Sequence, residues 1–219
     1  HQRATQTEIE FNLMIARTTI NTRWVDRLDR QERPTPTDLC EHLLEVHRHH
    51  TGFTETCASL SRDSAGRNSY VWLIEAVDAD RHQTILDLAC GSGPLTELCH
   101  RHVGQQAQLI GVDMSTDELR LARARVPEGR VEFRQALAQD MAFLDDDSVD
   151  VVLCHWALTL MDPVEPVLAE IRRVLRPEGV FAAIVDGDME TTPCYQRQHQ
   201  IIYDWVRRDF PRYGAIDLG

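Results

Sequence analysis

Thr84-Ile85-Leu86-Asp87-Leu88-Ala89-Cys90-Gly91-Ser92-Gly93-Pro94-Leu95 decides the fold of this chain. A short apolar strand runs there into an acidic residue and a glycine turn that opens a helix. A strand ending in Asp87 aims a carboxylate into the crevice at its carboxyl end, and Gly91 and Gly93, lacking Cβ, let a ligand lie against the backbone. The turn lacks the third glycine of a dinucleotide fingerprint, having Leu95 and Thr96 where that glycine should fall. A pyrophosphate site, and with it a NAD-dependent dehydrogenase, is disfavoured. A nucleoside ligand suits the arrangement.

The next strand expected, Gln108-Leu109-Ile110-Gly111-Val112, ends at Asp113, about 20 residues past the glycine turn, where a ribose-binding acid sits in nucleotide folds. The alternative is that Asp113 caps the following helix, as Ser115 or Asp117 would also do.

These residues resemble the class I S-adenosylmethionine-dependent methyltransferases, in particular the small-molecule branch with the ubiquinone and menaquinone methyltransferases. The resemblance covers roughly Arg67 to Asp188 in four ordered blocks: Asp87 to Gly93, Gly111 to Ser115, Met141 to Val152, and Val167 to Val180. It implies S-adenosyl-L-methionine as cofactor and S-adenosyl-L-homocysteine as product. It places Asp87 and Gly91 near the methionine part, counts Ala89, Cys90 and Gly93 among the cofactor-binding residues, and puts Asp113 on the ribose hydroxyls and Met114 beside the adenine. A carboxylate can accept from both vicinal hydroxyls, and a thioether packs against an aromatic edge. The family's adenine-binding acid falls on Leu137, so Leu137 and Ala138 are expected to line that pocket, with Gln139 and Asp140 as polar substitutes.

The chain has 219 residues, 42% of them apolar, enough for one domain with a large core and a helical extension. Its formal charge is −12 and all 23 basic residues are arginine. An acidic surface repels phosphate backbones, and no basic stripe with interleaved aromatics occurs, so nucleic acid is not an expected partner. Cysteines 40, 57, 90, 99, 154 and 194 form no short paired spacing, which reads as thiols in a reducing, cytoplasmic setting. Cys90 reads as a packing residue, since nothing nearby in sequence would activate it. No apolar run reaches membrane-spanning length, and no signal peptide is recognised.

From Thr84 onward strands and helices alternate, which predicts an α/β, Rossmann-like, doubly wound parallel sheet over residues 81–219. Strands are expected at Thr84–Asp87, Gln108–Val112, Val131–Gln135, Val149–Cys154 and Val180–Val185, with helices near Leu95–Val103, Thr116–Val126 and Pro163–Leu175. Residues 1–80 read as an N-terminal helical lid, with helical patterns at Glu8–Leu28, Thr37–Leu60 and Ser69–Val77. One amphipathic helix is expected from Tyr195 to Phe210. The last strands of the family's usual sheet are missing from this sequence, so an incomplete C-terminal part is expected, or an edge covered by the last helix or by a second copy in a homodimer.

Methyl transfer from a sulfonium is an in-line displacement, and a base is needed only for a protonated acceptor. His155, at the end of the fourth strand, is the candidate base; the other reading is a wall residue touching cofactor through its backbone. Trp156 either lines an aromatic acceptor pocket or packs under the next helix. Tyr70 and Arg67 are expected to reach the cofactor carboxylate, the arginine by a charge-assisted pair. The run His42, His47, His49 and His50 has no metal-ligand spacing, and Asp186 and Asp188 lack a neighbouring Asp-Asn pair, so no metal is expected. The expected partner is a small-molecule acceptor carrying oxygen, nitrogen or an activated carbon. The alternatives are a non-methylating reaction on the same cofactor and a non-catalytic cofactor-binding module.

Overall fold

The computed structural model describes residues 20–104, 107–126, 129–187, 192, 193, 196, 197, 200, 201, 204 and 208. The start of the first expected helix and most of the one expected from Tyr195 to Phe210 lie outside the described residues, as does Asp188. The described residues fall into two compact units, one up to His49 together with Ile201 onward, the other His50–Gln200.

The first unit holds helices α1 (Arg23–Asp29) and α2 (Pro36–His49). Trp24 stacks on His42 with ring centroids 4.6 Å apart, and the same imidazole reaches the Thr22 hydroxyl at 2.9 Å through Nδ1. Thr35 donates its backbone N–H and hydroxyl to Asp38, which also takes the Arg27 guanidinium at 2.8 Å. These contacts hold the Asp38 carboxyl below the usual carboxylate range, the threonine hydroxyl contributing most. His42 is therefore a packed helix partner.

The second unit begins at His50, so residues 50–80, expected to belong to a separate lid, are built with the sheet. The single helix expected over Thr37–Leu60 is two, because Gly52 takes φ +77 and α3 (Phe53–Leu60) starts anew after it. Asn68 caps α4 (Ser69–Ile74) by accepting the Val71 N–H at 3.2 Å.

Five parallel strands follow: β1 (Thr84–Leu88), β2 (Gln108–Asp113), β3 (Glu132–Gln135), β4 (Val149–His155) and β5 (Leu175–Ile184), in the order β3-β2-β1-β4-β5. Between them run α5 (Pro94–Val103), α6 (Thr116–Arg125) and α7 (Glu165–Val174). The three central strands β1, β2 and β4 are near-continuous buried apolar runs because both faces are covered. Leu86, Leu88 and Val152 pack on one side; Ile85, Val151 and Leu153 pack on the other with Leu95 and Cys99 of α5.

β5 starts earlier than Val180. Leu175 pairs with Val149, residues 176–179 bulge out with Glu178 at φ +68, and pairing resumes at Val151 and Val180. Arg173 of α7 donates to the carbonyls of Met141 and Leu144 at 3.0 and 2.8 Å and pairs with Glu170 and Asp146. Part of the arginine-rich block that resembles the family motif is thus a clamp on the loop between β3 and β4.

Candidate active site

The strand order reverses at β1, with β2 on one side and β4 on the other, so the crevice lies at their carboxyl ends. Register places Leu88 beside Val112 and Cys154, one residue short of Asp113 and His155. After β1, Ala89, Gly91 and Gly93 all take positive φ, at 56, 53 and 82°. Gly93 is the N-cap of α5, with Pro94 in its first turn. A Cβ on Gly93 would stand 2.9 Å from the Ala122 Cβ of α6, so this glycine serves helix packing. Around Gly91 the nearest atom to such a Cβ is 4.0 Å away, and that face of the turn is open to a ligand.

Asp113 is buried and accepts the Gly91 N–H at 2.9 Å and the Ser115 N–H at 2.8 Å. Ser115, not Asp113, caps α6 by accepting the Glu118 N–H. Asp87 is turned into the sheet face under α5, where the Thr96 hydroxyl donates to it at 2.5 Å. Burial, opposed by that bond and reinforced by the Asp113 charge, pushes its carboxyl up to about 7. Burial also pushes the Cys90 thiol well up, so it is a packing group, with little thiolate to act as a nucleophile.

Three side chains that sequence reasoning missed, one of α3 and two of α6, tie the α3 segment to this crevice. Glu118, buried in the first turn of α6, accepts the Gly52 N–H at 2.8 Å. Glu55 of α3 accepts the Ser92 hydroxyl at 2.8 Å and the Arg125 guanidinium at 2.5 Å. Arg125 also donates to the Ser92 carbonyl at 2.9 Å and pairs with Glu97 at 3.2 Å. The glycine turn is therefore tied to α3 through both the side chain and the backbone of Ser92. An acid in α3 and an arginine at the end of α6, 70 residues apart, leave no local sequence signal.

At the end of β4, His155 is buried and its Nε2 lies 2.7 Å from the Ser69 hydroxyl. Tyr70 stacks on the same imidazole at 4.1 Å. Burial pushes His155 down to about 4, so its ring is neutral at pH 7. Burial, then the charges of Glu55 and Asp87, push the Tyr70 phenol up. Trp156 has φ +55, a left-handed conformation that is unusual for a bulky residue, and its N–H donates to the Ile184 carbonyl at 2.9 Å. It lines a cavity of about 610 Å³ with Ser69, Trp72, Arg67 and the end of β5 from Ile184 to Gly187. His155 is not among the residues that line that cavity.

Arg67 is not free to act as expected: its guanidinium is held by Asp63 at 2.9 Å and Glu75 at 2.5 Å. Reaching a cofactor carboxylate would mean exchanging those partners. In the loop after β3, Ala138 is buried in the core, whereas Leu137 is 40% exposed and Gln139 and Asp140 face outward. Ala138 is thus a core residue rather than a pocket wall, Leu137 is an exposed apolar side chain, and the Met114 carbonyl accepts from Gln135. The open face of Gly91, the acid at the end of β2 and an apolar loop beyond it suit a nucleoside.

Fold and crevice together define a Rossmann-like protein built for a nucleoside cofactor. Residues 86–183 match the family model of the methyltransferase domain. The chain is 30% identical over 149 residues to a 2-phytyl-1,4-naphtoquinone methyltransferase of Thermosynechococcus vestitus, covering 66% of each chain. It is 33% identical over 123 residues to a demethylmenaquinone methyltransferase of Lactococcus lactis, covering 55% of this chain and 48% of that one. The chain thus spans about half to two thirds of the length of these relatives. The YcgJ protein of Bacillus subtilis shares the fold, with a TM-score of 0.51 at 24% identity over 66% of this chain and 59% of that one. Among the described residues, no helix is long and apolar enough to cross a membrane.

Proposed function

We propose that this protein is a methyltransferase that uses S-adenosyl-L-methionine to methylate a small molecule. The observation that carries the reading is the Asp113–Gly91 link, which sets the acid ending β2 against the open face of the glycine turn at the topological switch point. When bound, the cofactor supplies an electrophilic methyl group on a sulfonium. Asp113 would accept from the ribose hydroxyls, and the turn around Gly91 would take the methionine part. Met114 and Leu137 would flank the adenine. Tyr70 would close over the methionine end with Glu55 and Arg125 fixing α3 above it, which excludes water from an in-line displacement.

The acceptor would enter the cavity beside Trp156 and Trp72, whose volume is in the range of small-molecule sites. The names of the relatives point to quinone-like aromatic acceptors, and two tryptophans in the lining suit a planar ring. The buried free thiols at Cys90, Cys99 and Cys154 support a cytoplasmic setting. The testing experiment is calorimetric titration with S-adenosylmethionine, S-adenosylhomocysteine and NAD in parallel. Micromolar binding of the two adenosyl ligands alone is expected; preference for NAD, or no binding, would overturn the reading.

A further inference from the structure

Ser69 stands between the acceptor cavity and His155. Ser69 is among the residues that line the cavity, and its hydroxyl is 2.7 Å from Nε2, while the imidazole is buried and stacked against Tyr70. The residue is held in place from both ends: Asn68 caps the helix that Ser69 begins, and Tyr70, the next residue, stacks on the ring that Ser69 bonds.

A neutral imidazole carries one ring N–H, and in the Nδ1–H tautomer Nε2 is the acceptor for the Ser69 hydroxyl that lies 2.7 Å away. Two carboxylates line the cavity, Asp63 and Asp186. Asp63 is occupied by Arg67 and the Trp72 indole N–H, and held down to about 2, with the Arg67 backbone N–H contributing most. Asp186 is the rival.

We propose that Ser69, rather than His155, is the side chain that meets the acceptor, and that the two relay the proton of a phenolic hydroxyl. This rests on the methyl-transfer reading above. As the acceptor oxygen forms its bond to the methyl carbon, the carbon–sulfur bond breaks and its electron pair stays on sulfur, leaving a neutral thioether. The acceptor O–H proton passes to Ser69 Oγ while the Ser69 proton passes to His155 Nε2. The positive charge that began on sulfonium ends on imidazolium, and atoms and charge balance. His155 is then a positioning and proton-storing group behind the wall, and it accounts for a hydroxyl at this position of α4.

The test uses the full chain with ¹⁵N-labelled histidine and 1-naphthol as the probe phenol. The His155 Nε2 resonance should be that of a hydrogen-bonded acceptor, should lose that signature in Ser69→Ala, and should keep it in Ser69→Thr. Naphthol should shift this resonance in the wild type and the threonine variant only. Loss of the hydroxyl should weaken naphthol binding, read by tryptophan quenching, by about five- to tenfold. An unchanged His155 resonance in Ser69→Ala, a naphthol response that survives in that variant but vanishes in Asp186→Asn, or no naphthol binding by the wild type would each overturn the relay. Failure of S-adenosylhomocysteine to bind the same samples would instead overturn the methyl-transfer reading, while the resonance still reports the pair.

Discussion

The carboxylate of Asp113 accepts the Gly91 N–H at 2.9 Å, so the acid that ends β2 also sets the turn that follows β1. Removing it leaves a buried donor without its partner and takes away the expected ribose acceptor. Asp113→Ala should cost roughly 1–3 kcal/mol of stability. It should also weaken S-adenosylhomocysteine binding by about tenfold or more for each lost charge-assisted bond. Chemical denaturation and calorimetry measure the two; unchanged affinity in a folded variant would remove the ribose assignment.

Gly93→Ala meets two obstacles, a φ of +82° and an α6 backbone atom 3.1 Å from the new Cβ. Left-handed strain and overpacking each cost about 1–3 kcal/mol, and no flexible side chain can give way here. Gly91→Ala has the same sign of φ but open space, and should cost about 1 kcal/mol in stability while harming cofactor affinity. The contrast between the two variants in urea melts and ligand titrations separates a packing glycine from a ligand-facing one.

Asp87 and His155 give stability slopes of opposite sign. The Asp87 carboxyl is raised from 3.8 to about 7, so its contribution is fully present below about pH 4 and is lost as pH rises through 7, when ionisation under α5 becomes unfavourable. His155 is lowered from 6.5 to about 4, so its contribution is present above about 6.5 and is lost as pH falls through 4. Asp87→Asn should gain on the wild type as pH rises from 4 to 7, by at most about 1.4 kcal/mol per pH unit. His155→Gln should gain as pH falls from 6.5 to 4. Denaturation midpoints across that range check both, and a flat difference for either variant refutes its burial as the cause.

Arg125 and Glu55 should show coupling in a double-mutant cycle. Their side chains are 27% and 30% exposed, so solvent screens the pair and about 1 kcal/mol is expected, at the upper end for partly exposed ions. Either single variant should also loosen the glycine turn, because Ser92 loses a partner for its hydroxyl or its carbonyl. Hydrogen exchange at Gly91 to Gly93 should quicken in both. Unaltered exchange would mean that the turn stands without α3.

The fold was legible because a parallel sheet covered on both faces writes itself as apolar runs, and because the acid and glycine turn at Asp87–Gly93 are local. Helix α6 was legible too, although which of Asp113, Ser115 and Asp117 would cap it was not. Capping depends on which acceptor the backbone N–H of Glu118 reaches, and Asp113 had a second donor available from β1. The bulge at 176–179 was also hidden, because a strand that pairs once, loops out and pairs again has no periodicity to reveal it.

The sequence by itself determined the parallel sheet, the crevice at its carboxyl ends and the acid–glycine constellation, since each is encoded within a few residues. Only the tertiary structure decided that Asp87 turns into the core, that Arg67 is held by Asp63 and Glu75, and that His155 sits behind Ser69. Ser69 and His155 are 86 residues apart, and nothing local to either names the other. Their meeting is set by the helix packed against the end of β4. Composition and spacing can place a residue on an element, but which side chain reaches the cavity and which stands behind it is settled by packing.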